Sequence, residues 1–292
     1  MIIIKLIGGL GNQMFQYAAG RRAAYINKTL LKFDISGYKK QVGITPRKYM
    51  LDIFNICASI ATKKEVSLFN LHSKNRVQRN LHRIILFFLR RHYLRQKTTG
   101  FTTELLTASD DSYLDGYWGS EKYFKDIENI IRKNFTFKDK PDEVNQQMIS
   151  RIKNCDSVSI HIRRGDYVND KKTNQFHGVC DLNYYLKAVV LISKKVKNPQ
   201  FFVFSDDIEW AKQNLLLKFP CVYVDHNIGK KDYEDMRLMS HCKHNIIANS
   251  TFSWWGAWLN KNKNKIVIAP KKWFNDKTIN TKDLIPNSWL KI

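Results

Sequence analysis

The sequence predicts an α/β protein made of two tandem domains, each built on a parallel β-sheet. Three observations support this fold class. Residues 2–34 follow the pattern of a strand, a glycine turn, a helix and a second strand. Residues 157–269 alternate short apolar segments with helical segments, which is typical of a parallel sheet covered on both faces. Between these regions, residues 135–144 are polar and charged and include Pro141, as expected of a linker.

The first unit opens with an apolar strand at Ile2–Ile7 and a tight turn at Gly8–Gly11. A helix from Asn12 to about Ile26 and a strand at Leu30–Asp34 complete a βαβ unit, whose helix start could receive an anion. A dinucleotide-binding fingerprint is a second interpretation, but Met14 occupies the position of its third glycine or alanine. A third interpretation is that the glycines serve only the backbone geometry of the turn and bind no ligand.

The periodicity is weaker from residue 44 to residue 135. We predict a short helix with a loop at 49–60, a helix at 63–71, a strand end or turn at 115–118 and a helix at 121–135. Residues 72–97 contain eight Lys and Arg, no Asp or Glu, and an apolar centre. This composition fits an amphipathic helix lying on an anionic membrane, and equally a helix packed into its own domain with a solvated basic face.

The second half predicts five strands and four helices in alternation. The strands are expected at 157–162, 201–204, 221–224, 244–247 and 265–269, and the helices at 182–195, 208–217, 232–241 and 251–260. We therefore expect an N-terminal domain at residues 1–140 and a C-terminal domain at 150–272, with a cleft between them. Residues 273–292 are expected to return to the first domain.

The composition narrows the partners and the compartment. A formal net charge of +23 over 292 residues implies a polyanionic partner, which could be nucleic acid, a phosphate-rich substrate or an anionic membrane. Five scattered cysteines without a CxxC pair argue against a disulfide framework or a zinc site and for a reducing compartment. The apolar run at the N-terminus is too short for a signal peptide, and no stretch could span a bilayer, so we expect a cytoplasmic protein.

The segment His161–Tyr167 follows a short apolar strand and contains two adjacent arginines. Open α/β sheets bind their ligands where strands give way to loops, and guanidinium groups match phosphate oxygens bidentately. Arg163 and Arg164 are therefore candidate phosphate ligands. The alternative is a surface salt bridge between one of these arginines and Asp166.

Two further strand ends carry polar residues. Ser205 and Asp206 follow the 201–204 strand and could contact a ligand or cap the next helix. Asn249, Ser250 and Thr251 open the helix at 251–260, whose free amides form a ready anion site. Since the carboxyl ends of parallel strands share one edge, the three motifs would complete a diphosphate pocket. We predict no metal site and no cofactor, because the sequence has no Asp-x-Asp pair.

These motifs resemble those of bacterial α-1,2-fucosyltransferases, glycosyltransferase family 11. The resemblance rests on His161–Tyr167, Phe204–Asp207, Asn249–Trp258 and the N-terminal Gly8–Tyr17, and leaves residues 44–110 unmatched. It implies a GT-B-like fold of two Rossmann-like domains. It also implies inverting, metal-independent transfer of fucose from GDP-β-L-fucose to the 2-hydroxyl of a terminal galactose in a glycan, such as an O-antigen.

The resemblance also implies roles for individual residues. Arg163 would bind the diphosphate, Arg164 would shape the loop, and Asp206 is a candidate for the guanine edge. The remaining residues expected at the donor or acceptor are Asn12, Gln13, Ser205, Asn249, Ser250, Thr251 and Phe252. Catalysis is assigned to Arg163, Asp166 and His161. Asp166 could be the base or could orient His161 or an arginine, and His177 and Asp181 are further candidates for the base.

Two alternatives remain open at this stage. One is another sugar-nucleotide glycosyltransferase of the same fold with a different donor or linkage. The other is a basic nucleic-acid-binding protein, which the net charge alone would support. Against the second stands the absence of a nucleic-acid-binding motif and of basic residues interleaved with aromatic ones.

Overall fold

A computed structural model describes residues 1–39, 46–69 and 91–292, and the chain divides into two compact units. The first unit comprises Met1–Lys138 and Asn280–Leu284, and the second comprises Asp139–Ile279 and Ile285–Ile292. The division between them therefore falls beside Pro141, in the stretch expected to be a linker. Of the last twenty residues, only Asn280–Leu284 belong to the first unit.

The first unit is built on a five-stranded parallel sheet with the order β3-β2-β1-β5-β4. Its strands are β1 (Ile2–Lys5), β2 (Leu31–Asp34), β3 (Ser59–Ile60), β4 (His92–Arg95) and β5 (Ser112–Asp115). Its described helices are α1 (Leu10–Ile26), α2 (Lys63–Ser67) and α3 (Glu128–Asn134), with short 3₁₀ turns at Ser36–Lys39, Leu51–Ile53, Thr103–Thr107, Glu121–Tyr123 and Lys125–Ile127. The parallel pairing of β1 and β2 around α1 confirms the βαβ unit.

The predicted helix at 121–135 is only partly present. Two 3₁₀ turns precede α3, because Phe124 leaves the helical region with φ −143° and ψ 14°. This break lets Phe124 and Ile127 both bury their side chains. The predicted helix at 49–60 is likewise a single 3₁₀ turn followed by β3.

The basic stretch at 72–97 lies mostly outside the described residues, which resume at Arg91. Where it is described, the helix prediction is wrong, because β4 (His92–Arg95) is a strand paired with β5. Tyr93 stacks on Tyr113 with ring centroids 5.2 Å apart, and its hydroxyl donates to Asp115 at 2.6 Å. Cross-strand contacts of this kind stabilise a sheet edge, and a helical periodicity search does not detect them.

The second unit is built on a six-stranded parallel sheet with the order β11-β10-β9-β6-β7-β8. Its strands are β6 (Asp156–Ile162), β7 (Pro199–Ser205), β8 (Cys221–Val224), β9 (His244–Ile246), β10 (Val267–Ala269) and β11 (Leu290–Lys291). Its helices are α4 (Glu143–Lys153), α5 (Gly165–Asn169), α6 (Lys171–His177), α7 (Leu182–Ser193), α8 (Ile208–Asn214), α9 (Tyr233–His241) and α10 (Thr251–Leu259). The predicted alternation of strands and helices is confirmed, and the two parallel-sheet units form a GT-B-like α/β fold.

Three features of the second unit differ from the prediction. The loop expected where the first strand ends at His161–Tyr167 is short, because α5 begins at Gly165 and is followed by α6. The side chain of Asp170 caps α6 by accepting from the amide of Thr173 at 2.7 Å. The helix α4 was not predicted, although Asp142 caps it from a sequence position typical of a helix start. β11 adds a sixth strand beyond β10.

The register of this sheet determines which loops meet. Ile162 at the end of β6 pairs with Ser205 at the end of β7, and Ile160 pairs with Ile246 of β9. The carboxyl ends of β6, β7 and β9 are therefore neighbours on one edge. This confirms that the three polar motifs of the second half face the same edge.

Two further expectations were that the cysteines form no disulfide framework and that no segment spans a membrane. Cys57, Cys155, Cys180, Cys221 and Cys242 are all free thiols. Within residues 1–39, 46–69 and 91–292, no helix combines the length and the apolar character that crossing a membrane requires.

Candidate active site

Arg163 lies at the carboxyl end of β6 and is held by two carboxylates. Its Nη2 donates to Asp166 Oδ1 at 2.6 Å, and its Nη1 lies 3.1 Å from Asp206 Oδ2. Its side chain is 22% exposed. Burial alone would lower the pKa of Arg163, but the charges of Asp206 and Asp166 raise it, so the guanidinium keeps its charge. Asp166 and Asp206 contact two different nitrogens of the guanidinium group, which carries five N–H donors in all.

The salt bridge between Arg163 and Asp166, which was the alternative interpretation of this motif, is therefore present. It does not stand alone, because Asp206 adds a second carboxylate from the neighbouring strand end. Two carboxylates fix the plane of a guanidinium group better than one. The arrangement orients Arg163 and is compatible with phosphate binding through its other donors.

Asp206 connects the two loops. Its Oδ1 accepts from the backbone amide of Arg164 at 2.8 Å, while its Oδ2 faces Arg163. Gly165 permits this approach, since a Cβ at that position would collide with the Asp206 carboxylate. Arg163 and Arg164 lie between β6 and α5, and we call this segment the arginine loop. Asp206, proposed for the guanine edge, thus has both oxygens engaged by the arginine loop. A guanine contact by Asp206 stays a prediction.

Arg164 is held against α8. Its Nε donates to Asp207 Oδ2 at 3.1 Å, and its guanidinium carbon lies 3.8 Å from the centre of the Trp210 ring. Asp207 also caps α8 by accepting from the amide of Trp210, and the hydroxyl of Ser205 accepts from the amide of Asp207 at 3.0 Å. These contacts support the loop-shaping role expected of Arg164. They also show that Asp207 caps the helix, rather than Ser205 or Asp206.

His161 is 5% exposed, and its ring lies 5.6 Å from that of Phe252 at the start of α10. Its Nδ1 is buried and has no hydrogen-bond partner among the described residues. Burial, with a contribution from the charge of Arg163, lowers the pKa of His161 to about 3. The imidazole is therefore neutral at physiological pH, so in any catalytic role it would exchange hydrogen bonds as a neutral ring.

The depressed pKa of His161 predicts a pH dependence of stability. An unfolded histidine titrates near pH ~6.5, so the unfolded state binds the extra proton first as the pH falls. The contribution of His161 to stability is complete above about pH 6.5 and declines by up to ~1.4 kcal/mol per pH unit toward its folded pKa of about 3. Chemical denaturation at several pH values should show a steeper acid loss for the parent than for His161→Gln. Equal slopes for the two proteins would contradict the assignment.

The start of α10 presents the third motif. The hydroxyl of Ser250 caps the helix by accepting from the amide of Phe252 at 3.3 Å, and Ser250 is 7% exposed. Thr251 and Phe252 are half-buried in the first turn. Since β9 neighbours β6, this turn and the arginine loop share one edge of the sheet. Backbone amides at a helix start carry partial positive charge and would support an anion bound there.

Asn249 is buried and clamps three segments together. Its amide nitrogen lies 3.1 Å from each of the carbonyl oxygens of His177, Gly178 and Trp273. Its oxygen accepts from the thiol of Cys180 at 3.5 Å. The side chain therefore supports the loops around the site through protein contacts, and its donor-binding role stays a prediction.

Asn249→Ala should be strongly destabilising. It removes the shared donor of three carbonyl groups in a buried position, which typically costs about 1–3 kcal/mol. We expect a melting temperature lower by at least several degrees, measured by circular dichroism or calorimetry. Asn264→Ala, on an exposed turn, serves as the matched control and should melt like the parent. Equal melting temperatures of both variants would show that the Asn249 hydrogen bonds do not contribute to stability.

Tyr167 and His177 complete the surroundings of the arginine loop. Their rings stack with centroids 4.6 Å apart and an interplanar angle of 11°, and the guanidinium carbon of Arg163 lies 5.5 Å from the centre of the Tyr167 ring. This stack places His177 beside the site. Asp181 lies further along the chain, and its carboxylate caps α7 by accepting from the amide of Tyr184 at 2.8 Å.

In the first unit, the predicted residues flank the glycine turn. Gly8 has φ +78°, a conformation that favours glycine, and a Cβ there would collide with the side chain of Asn12. Gln13 is fully buried, and its amide group contacts the Gly8 carbonyl at 3.1 Å, the Lys48 carbonyl at 2.7 Å and the Met50 amide at 2.9 Å. Gln13 therefore ties the turn to a neighbouring segment. Asn12 is half-buried at the helix start.

In the described part of the chain, no group of three or more His, Cys, Asp or Glu side chains is arranged to hold a metal ion. At the site itself, the side chains of Asp166, Asp206 and Asp207 contact the two arginines.

The whole chain, residues 1–292, matches the family model described as glycosyl transferase family 11. This chain is a member of glycosyltransferase family 11. It is 35% identical over 299 residues to an Escherichia coli alpha-1,2-colitosyltransferase, covering 100% of this chain and 99% of the relative. It is 36% identical over 318 residues to the Escherichia coli O-antigen biosynthesis glycosyltransferase WbnK, covering 98% and 99%.

More distant relatives extend the comparison. This family 11 chain is 26% identical over 269 residues to galactoside alpha-(1,2)-fucosyltransferase 2 of Rattus norvegicus, covering 89% of the chain and 67% of the relative. The structure of an Arabidopsis thaliana FUT1 mutant in complex with GDP is similar in fold, with a TM-score of 0.51 and 11% identity. That likeness covers 92% of this chain and 70% of the other. The family resemblance noted from the motifs is thereby confirmed.

Sequence reasoning missed several residues that support the family 11 site. Trp210 lies against Arg164, Tyr167 stacks on His177, and Asp207 both caps α8 and binds Arg164. The sequence did contain a signal for Trp210. An aromatic residue three positions after a helix-capping aspartate, here Asp207, places its ring over the first turn of the helix. No sequence signal pairs Tyr167 with His177, because the stack depends on how α5 and α6 pack.

Proposed function

We propose that this family 11 chain transfers L-fucose from GDP-β-L-fucose to the 2-hydroxyl of a terminal galactose in a glycan. Transfer inverts the anomeric centre and requires no metal ion. The observation that carries the proposal is the fixed guanidinium of Arg163 at the carboxyl end of β6, on the same sheet edge as the start of α10. The names of the relatives support a glycan acceptor, including an O-antigen.

The chemistry fits this site. Breaking the bond between sugar and phosphate builds negative charge on the departing diphosphate. Arg163 would donate to that charge through N–H groups not used by Asp166 and Asp206, and the amides of α10 would act on the same oxygens. Donors fixed in advance at the position of developing charge lower the barrier most, because they need no reorganisation.

Asp166 is better suited to orienting Arg163 than to removing the acceptor's proton. It is 13% exposed, and one of its oxygens accepts from Arg163 at 2.6 Å. This short charge-assisted hydrogen bond fixes the orientation of the guanidinium group. We therefore assign Asp166 to positioning.

A second donor is favoured by the 35% identity to an alpha-1,2-colitosyltransferase over the full length of both chains. Under this alternative the sugar is colitose, which lacks the 3-hydroxyl of fucose. A site built to hydrogen-bond that hydroxyl rejects the analogue without it far more strongly than an apolar pocket rejects an added hydroxyl. The ratio of kcat/KM for the two donors therefore decides between them.

A donor and acceptor panel tests the function. The protein is incubated with GDP-fucose or GDP-colitose and a set of β-galactosides, and nucleotide release and product linkage are measured. We expect an α-1,2-linked product with GDP-fucose. Product only with GDP-colitose would establish the second donor. Salt-sensitive retention on DNA without turnover of any sugar nucleotide would favour the nucleic-acid-binding alternative.

Chelation tests the metal-free mechanism. With Arg163 and the start of α10 acting on the diphosphate, turnover in excess EDTA should match turnover in added Mg²⁺. The measurement is the initial rate of GDP release under both conditions. Loss of activity in EDTA that Mg²⁺ or Mn²⁺ restores would contradict the mechanism.

A further inference from the structure

The outer face of α7 in the second unit exposes apolar side chains that no described segment covers. Leu186 is 39% exposed and Val190 is 54% exposed, one helical turn apart. Together with Leu191, Ile292, Lys187 and Lys194 they line one open groove, which we call the α7 groove. The inner face of the same helix is buried, with Tyr185, Ala188, Val189 and Ile192 in the core. The helix therefore carries apolar residues on two faces, and the fold requires only one of them.

The charged side chains around the α7 groove are all basic. The segments that build or border it are Leu182–Ser205, Lys261–Asn275 and Pro286–Ile292, and none of them contains an Asp or Glu. Lys187 and Lys194 line the groove, and Lys195 and Lys197 follow the helix. On the other side, the backbone amide of Lys271 donates to the carbonyl of Ile292 at 2.8 Å, so the lysine-containing loop after β10 runs beside the groove.

We propose that the α7 groove is a docking surface for an anionic phospholipid bilayer. A shallow apolar strip bordered by lysines matches the boundary between headgroups and acyl chains, where apolar side chains insert and ammonium groups meet phosphates. Each lysine near such a surface adds attraction that salt weakens. A second copy of the chain would fit poorly, because two lysine-bordered grooves brought face to face repel each other.

This surface is separate from the arginine loop. α7 begins at Leu182, near the carboxyl edge of the sheet, and runs back toward the opposite edge, so Val190 and Lys194 lie away from the ends of β6 and β9. Docking through the groove would hold the second unit at a membrane while leaving its ligand edge uncovered. The proposal does not depend on the identity of the donor.

Vesicle flotation of the full chain at low salt tests the proposal. We expect the protein to float with vesicles of equal parts phosphatidylcholine and phosphatidylglycerol, and not with phosphatidylcholine alone. Combining Leu186→Glu with Val190→Glu should lower the bound fraction at least about tenfold, since it removes both inserted side chains. Leu216→Glu is the matched control, because Leu216 is a 73% exposed leucine in the same unit, and it should float like the parent.

Further measurements separate the outcomes. Melting temperature and transfer to a water-soluble acceptor should be parent-like in the double variant, which shows that folding and catalysis are intact. A double variant that floats like the parent would overturn the proposal, because membrane contact would then lie elsewhere in the chain. Failure of the parent to bind anionic vesicles would also overturn the proposal. The same holds if light scattering detects a dimer of the parent that the double variant does not form.

Discussion

Arg163→Lys should fold like the parent yet transfer sugar about a hundredfold more slowly. Lysine keeps the charge but loses the planar fork that bonds to Asp166 and Asp206 and that, in the proposed function, also binds the diphosphate. Because the contact strengthens as the diphosphate leaves, the loss should appear in kcat as well as in donor affinity. A hundredfold change corresponds to roughly 3 kcal/mol of transition-state stabilisation. The measurement is a steady-state comparison of kcat and KM for the donor.

Arg132→Lys is the matched control for this substitution. Arg132 is 24% exposed, close to the 22% of Arg163, and its Nε donates to Glu128 at 2.8 Å. An i,i+4 ion pair within a helix contributes about 0.2–0.5 kcal/mol, so this variant should keep parent turnover. Arg163→Ala should be slower than Arg163→Lys. Parent-like turnover of Arg163→Lys would remove the residue from the mechanism.

Asp206→Asn should lower turnover about thirtyfold, which corresponds to roughly 2 kcal/mol. The substitution keeps the size of the side chain but removes the charge that faces Arg163 and weakens the acceptor of the Arg164 amide. Both arginines then lose part of their orientation, and a poorly positioned guanidinium stabilises the departing diphosphate less. Initial rates at saturating donor, with melting temperature as a fold check, measure the effect.

Asp207→Asn provides the comparison at the neighbouring position. Asp207 pairs with Arg164 and caps α8, and asparagine is an equally good helix cap. This variant should lose only a few fold in rate, because Arg163 keeps both of its carboxylates. Equal losses for the two variants would mean that Asp206 has no special role in orienting Arg163.

The ligand edge of the second unit could be predicted because it depends on a simple pattern. Apolar runs end at Ile162, Phe204 and Ile247, and each is followed by a polar motif and a helix. This pattern favours parallel strands whose carboxyl ends meet. The turn before α1 could also be predicted, because glycines in sequence mark turns. Gly8 does have a backbone conformation that favours glycine.

The hydrogen bonds and ion pairs within the site could not be predicted, because they depend on distances between loops. Nothing in the sequence indicates that Asp206 reaches both Arg163 and the amide of Arg164, or that Asn249 turns inward to three carbonyl groups. The helix prediction at 121–135 was correct only from Glu128 to Asn134, and the helix prediction at 72–97 was wrong in its described residues, for a related reason. There, tertiary contacts of Phe124 and Tyr93 override local periodicity.

Equilibrium binding of GDP and GMP in EDTA, to the parent and to Arg163→Ala, tests the central claim most directly. If the guanidinium of Arg163 binds the diphosphate, the parent should prefer GDP over GMP by at least about tenfold, and the preference should largely disappear in Arg163→Ala. Titration calorimetry gives all four affinities, and Arg132→Lys should behave as the parent does. A preference for GDP that is unchanged in Arg163→Ala, or no binding of GDP by the parent, would contradict the account.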